Sequence, residues 1–172
     1  MKIRSICLSL VSLVCTSLLA EEPFQKETTP DVHLRTPYVS LGIGPAPFPL
    51  PIFGLGYRAQ HNHHGFNTSF NFIALPDLFI AGKGSALYDY YFNPNKVSQL
   101  YLGMGPAIIG GGSSYMGEIF GGAEFVVGKQ YLNETGASRF FEVSIDIPFI
   151  DFKRAHSCYP IPLVLFTYGI GF

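Results

Sequence analysis

Between residues 38 and 172 the chain alternates large apolar residues with small or polar ones. The final segment shows this most plainly. Val164, Phe166, Tyr168, Ile170 and Phe172 fall on one parity, and from 166 onward Thr167, Gly169 and Gly171 fill the other. A period of two marks a β-strand with one apolar face and one small or polar face. The strand runs through to Phe172. Large apolar residues on an open edge strand invite aggregation, whereas a barrel that pairs its last strand with its first has no open edge. The pattern therefore predicts that residues 164–172 pair with residues 38–44.

Eight such strands are predicted, each with an outward apolar face and an inward small or polar face. The first is Tyr38 to Gly44, with Val39, Leu41 and Ile43 outward. The alternate prolines of 45–51 remove ladder donors and make a loop. The second strand, Ile52 to Gln60, points Phe53, Leu55 and Tyr57 outward and Arg58 inward. His61 to Gly65 reads as a turn, and Phe66 to Ala74 as the third strand. Leu75 to Ser85 reads as a longer loop before the fourth strand, Ala86 to Phe92, whose inward face is set by Asp89. Asn93-Pro94-Asn95-Lys96 is a turn signal. The fifth strand is Gln99 to Ala107, followed by a loop over 108–116 that includes Gly110 to Ser114. The sixth runs from Gly117 to Tyr131, with Glu118 and Glu124 inward, and ends in a turn at Asn133 to Gly136. The seventh, Arg139 to Ile147, points Glu142, Ser144 and Asp146 inward. Pro148 to Pro160 is a loop, and Ile161 to Phe172 is the eighth strand. Connections one, three, five and seven are the longer ones, as expected for the external loops of an up-and-down transmembrane barrel. Residues 38–172 thus read as an all-β, eight-stranded antiparallel transmembrane β-barrel.

Composition supports a lipid-facing wall. The chain is 48% hydrophobic and only 13% charged, against about 25% charged in ordinary soluble domains. No apolar run after residue 20 approaches the roughly 18 residues of a membrane helix. The start is different: Met1-Lys2-Ile3-Arg4 is basic, 6–14 is mostly apolar, and Ala20 precedes Glu21-Glu22. This is the pattern of a signal peptide over 1–20, cleaved after Ala20, with 21–37 as a flexible periplasmic leader. Losing Lys2 and Arg4 takes the net charge from −1 to about −3, too small to imply nucleic-acid binding.

The signal through Ala20, the alternating strands and the final row Phe166, Tyr168, Ile170, Phe172 resemble the small eight-stranded outer-membrane β-barrels of Gram-negative bacteria. The resemblance covers 38–172 in architecture only. It implies an outer-membrane location, contact with outer-membrane lipid and lipopolysaccharide, and a last strand that serves as the signal for the barrel-assembly machinery. The chain departs from that class in having no Trp. Tyr38, Tyr57, Tyr90, Tyr91, Tyr101 and Tyr131 would have to form the interfacial girdles instead.

An eight-stranded barrel is just wide enough for side chains to fill its interior. The predicted lumen carries Arg58, Asp89, Glu118, Glu124, Glu142 and Asp146. Arg58 is the only cation among these inward positions and is expected to contact Glu124 or Glu142. A polar side-chain plug is the primary reading and a narrow cation-preferring path the alternative. The inward glycines 42, 44, 54, 56, 103, 105, 169 and 171 either leave space or admit bulky neighbours.

His61, His63 and His64 raise a metal hypothesis, but the turn brings no cysteine or carboxylate, and a solvated turn without metal or cofactor is the expectation. Some barrels of this size are acyl-transfer enzymes acting on lipopolysaccharide, which implies a hydroxyl, a histidine and a carboxylate near the external rim. His156, Ser157 and Asp151 are the candidates, with Ser113 or Ser114 as alternative hydroxyls. Adjacent residues on an extended strand point apart, which opposes His156 activating Ser157. Cys7 and Cys15 lie in the signal, so Cys158 stands alone and is a candidate for a disulfide to a second copy or another envelope protein. Neighbouring Lys153 and Arg154 could meet lipid phosphates. The leading expectation is a structural or surface-interaction barrel. A lipid A-modifying enzyme is the alternative, and a narrow channel or a secreted lipocalin-like carrier with its apolar face inward is the next.

Overall fold

Residues 32–44, 50–75, 79–113, 116–133, 137–152 and 162–172 are described by the structure, a computed structural model. Eight strands form one closed antiparallel barrel in chain order. They are β1 (His33–Gly44), β2 (Leu50–His61), β3 (His64–Leu75), β4 (Phe79–Tyr91), β5 (Ser98–Ser113), β6 (Met116–Leu132), β7 (Ser138–Asp151) and β8 (Leu163–Gly171). Closure is the pairing of the last strand with the first, from Tyr38↔Gly171 to Ile43↔Phe166. The Phe172 amide adds a hydrogen bond to the Pro37 carbonyl at 3.1 Å.

The two faces are assigned as the alternation predicts. Leu41, Leu55, Phe70, Met104, Ile108 and Phe141 point outward and each expose 54–56% of their surface. Arg58, Asn67, Lys83, Asp89, Gln99, Glu124, Gln130 and Asp146 are buried in the interior. An apolar exterior on this scale suits lipid rather than water. The lipocalin-like arrangement, with apolar residues inside and polar ones outside, is the reverse of what these residues do.

Several boundaries move. Residues 33–37, expected in the leader, form the start of β1. They pair with 57–61 of β2. The turn holds them there: Asn62, at a left-handed φ of 53°, exchanges two 3.0 Å hydrogen bonds with the Val32 backbone. The turn itself is shorter than His61 to Gly65, since His61 ends β2 and His64 begins β3. The expected loop Leu75–Ser85 is mostly strand, because β4 begins at Phe79. Gly82 and Gly84 occupy outward positions there, so the outward apolar signal is missing while the ladder continues. β5 likewise extends through the glycine run to Ser113, paired with β6 along its whole length. β7 extends to Asp151 by way of a bulge, in which Gly121 faces Ile150 and Gly122 faces Pro148. A bulge accommodates the proline, which has no amide to donate. Connections three and five therefore shrink to 76–78 and 114–115. The long–short rhythm fails there, while the strand count and both faces hold.

Candidate functional site

The polar interior is the place where this fold gathers chemistry. Its packing begins with glycine. Tyr38, Tyr101 and Phe140 each stand directly opposite a glycine on the next strand: Gly56, Gly128 and Gly169. A Cβ at those glycines would lie 2.2, 2.3 and 2.0 Å from the ring Cζ atoms. Gly103 does the same for Asp89, whose Oδ1 would be 2.2 Å from an added Cβ. Gly56, Gly103, Gly128 and Gly169 therefore admit bulky neighbours, and the rings lie across the lumen. Leu87, Tyr91, Tyr101 and Val126 pack together as a fully buried cluster.

Arg58 lies among these rings, 2% exposed. Its guanidinium sits 4.4 Å from the Phe140 ring centre and 4.8 Å from that of Tyr101. Nη1 donates to Gln130 Oε1 at 3.0 Å, and Nη2 donates to Glu142 Oε1. The Tyr101 hydroxyl donates to the same Glu142 oxygen at 2.6 Å. Asp89 Oδ2 lies 3.8 Å from Arg58 Nε, a Coulombic contact rather than a hydrogen bond. Of the two partners expected for Arg58, Glu142 is found and Glu124 is not.

Glu124 belongs to a second cluster that the sequence reading missed. Lys83 Nζ donates to Glu124 Oε1 at 2.8 Å and to Asp146 Oδ2 at 3.0 Å. Lys83 is 7% exposed, so Arg58 is not the lumen's only cation. Lys83 was hidden by the assignment of its segment to a loop. The signal was present: Lys83, Ser85, Leu87 and Asp89 continue one inward parity. Ser69 and Ser85 share a 2.8 Å hydrogen bond on the same inner wall, and Asn71 donates to Ser69 at 3.1 Å.

Each cluster thus sets one cation against two carboxylates. Buried charge persists only when paired and hydrogen-bonded, so both clusters bind distant strands together. Between them, side chains from six strands meet across the interior: β2, β5, β6 and β7 around Arg58, with β4 and β1 supplying Asp89 and Tyr38. Glu118, the sixth predicted lumen group, is exposed near the start of β6 and is in neither cluster.

Comparison with known proteins gives the fold its place. The barrel is similar to Neisserial surface protein A, with a TM-score of 0.57 and 12% identity over 80% of this chain and 94% of that one. It is also similar to the N-terminal β-barrel domain of Pseudomonas aeruginosa OprF, with a TM-score of 0.54 and 11% identity over 82% of this chain and 100% of that one. The fold is that of small eight-stranded outer-membrane β-barrels. No protein-family model and no curated protein matches the chain.

The remaining candidates are dispersed. His61 and His64 are exposed on the outer wall, where His61 stacks on His33 at 4.3 Å and His64 Nδ1 lies 2.5 Å from the Tyr88 hydroxyl. His63, in the turn, bonds the Tyr91 carbonyl through Nδ1 at 2.7 Å. The three histidines therefore do not converge on one point. Asp151 is not on an external loop: it ends β7 opposite Phe120, 7% exposed. His156, Ser157, Cys158, Lys153, Arg154 and Ser114 lie outside the described residues, and Ser113 is the last residue of β5. Tyr57, Tyr90 and Tyr131 are exposed on the wall and can serve a girdle, whereas Tyr38, Tyr91 and Tyr101 are buried in the lumen. Along the last strand Phe166 and Ile170 point outward, and Tyr168 packs on Phe141 at 4.7 Å. Phe172, just beyond β8, is 67% exposed.

Proposed function

We propose that this protein is exported through a signal over residues 1–20, resides in the outer membrane, and works as a structural or surface-interaction barrel whose lumen is plugged by side chains. The observation that carries this reading is the filled interior behind a lipid-matched wall. Arg58, Tyr38, Tyr101 and Phe140 stack across the lumen, and Lys83, Glu124 and Asp146 form a second ion-paired obstruction. Outer-membrane lipid and lipopolysaccharide surround the wall. The row Phe166, Tyr168, Ile170, Phe172 is offered to the barrel-assembly machinery. Cys158 forms a disulfide to another envelope chain, read as a gel band that collapses on reduction.

Two measurements test the central reading. In the outer-membrane fraction the unboiled protein should migrate differently from the boiled form. Reconstituted in a planar bilayer, it should show no sustained conductance. Steady cation-selective steps would replace the plug with the narrow-channel reading.

A further inference from the structure

The described carboxylate side chains are confined to one face, whereas cations occupy both. Asp89, Glu118, Glu124, Glu142, Asp146 and Asp151 all occupy inward-facing positions of their strands. The strand cations on the outward face are Arg35, Lys129 and Arg139, and all three lie in the half of the barrel that holds Phe172. No outward-facing Asp or Glu side chain accompanies them among the described residues.

Two of the three, Lys129 and Arg139, are also diagonal neighbours across β6 and β7. β1 and β7 are the two neighbours of β8. Arg139 stands directly opposite Ile170, and Tyr131 stands opposite Arg139 on its other side. Lys129, half-buried, places its ammonium 5.4 Å from the centre of the Tyr131 ring. On the far side of β8, Phe172 bonds the Pro37 carbonyl, and Arg35 follows two residues on, on the same outward face. Arg35 and Arg139 thus lie on either side of β8, two strand spacings apart and offset by four residues along the strands, ~17 Å in all. Immediately toward mid-wall lie the exposed apolar residues Phe141, Ile170 and Val39.

A guanidinium on a lipid-facing wall is tolerated where it reaches the headgroup layer. Its planar fork matches phosphate bidentately. One such fork at Arg139, the Lys129 ammonium as its diagonal neighbour about 7–8 Å away, and apolar side chains next to them make a surface complementary to a phosphate head with acyl tails, with the Arg35 fork further along the same rim. We propose that Arg139, Lys129 and Arg35 form a docking surface for an anionic glycerophospholipid, the phosphate held by Arg139 and Lys129, the acyl chains lying on Phe141 and Ile170, and Arg35 extending the basic surface across β8. This rests on the reading of the barrel as a membrane protein. Each cation contributes about a fivefold preference at an anionic surface.

The test uses the full chain refolded into bilayer nanodiscs of equal phosphatidylglycerol and phosphatidylcholine. Lipids retained on release are counted by native mass spectrometry. Phosphatidylglycerol should be enriched at least about fivefold. The triple variant R35Q/K129Q/R139Q should fall to parity, and R35K/R139K, which keeps the charge but not the fork, should keep only part of the enrichment. Unboiled gel mobility confirms that each variant is folded. If the triple variant does not fold, R139Q alone and 0.5 M salt on the parent protein serve instead, and each should cut the enrichment severalfold. Equal retention of the two lipids by the parent, or undiminished enrichment in the neutral variants, overturns the docking surface while leaving the membrane barrel intact. Failure of the parent to enter bilayers overturns the membrane reading and the docking surface together.

Discussion

Replacing Arg58 by methionine tests whether charge holds the lumen shut. The substitution keeps the stem and removes the guanidinium. Three kinds of interaction go with it: the hydrogen bond to Gln130, the ion pairs to Glu142 and Asp89, and the stacking on Tyr101 and Phe140. Asp89, with no exposed surface, and the part-buried Glu142 then remain as carboxylates without a cation. Stripping one partner from a buried ion pair costs about 3–5 kcal/mol, and each desolvated cation–π contact adds about 0.5–2 kcal/mol. Against a total stability of about 5–15 kcal/mol, R58M should lower the urea midpoint sharply. The chain has no Trp, so the folded fraction is read from unboiled gel mobility and far-UV circular dichroism in lipid vesicles. R58M/E142Q should recover part of the loss, because the amide removes a charge and still accepts from Tyr101. R58M/E124Q should recover none, because Glu124 is paired with Lys83. An unchanged midpoint for R58M, or equal rescue by E142Q and E124Q, would refute the division of the lumen into two separate charge clusters.

Lys83→Met should show the converse pattern, rescued by E124Q or D146N and not by E142Q, in the same titration. Gly169→Ala places a methyl 2.0 Å from Phe140 Cζ; the ring must leave its place over Arg58, at about 1–3 kcal/mol, and F140L should relieve the loss. A cost indistinguishable from zero would mean that the rings do not lie on the glycines. Phe70→Arg, at the middle of β3 on the outer wall, should destabilise the vesicle-embedded barrel by about 2–4 kcal/mol, and a neutral result would argue that this position does not face lipid. In a Cys158→Ser background, the pairs V39C/I170C and L41C/Y168C, each directly opposite across β1 and β8, should form an intramolecular disulfide in the folded protein. Absence of both, judged by non-reducing gel mobility, would contradict barrel closure.

The alternation of residues is a local property, and what depends on it was legible. Strand number, the inward or outward sense of Arg58, Asp89, Glu124 and Glu142, and the pairing of 164–172 with 38–44 all follow from a period of two and the need to leave no edge unpaired. The reading lapsed where outward positions are glycine, at 82, 84 and 110, because the ladder there has no apolar marker. That lapse concealed Lys83, and with it the true partner of Glu124. Even a complete set of inward residues would not have assigned the pairs. Arg58 meets Glu142 across 84 residues of chain, and Lys83 meets Asp146 across 63. Those meetings depend on how eight strands stagger as the barrel closes, and on which glycines let an aromatic ring lie across the interior. Parity along a strand is written in neighbouring residues, whereas contact across the lumen exists only once every strand has taken its register.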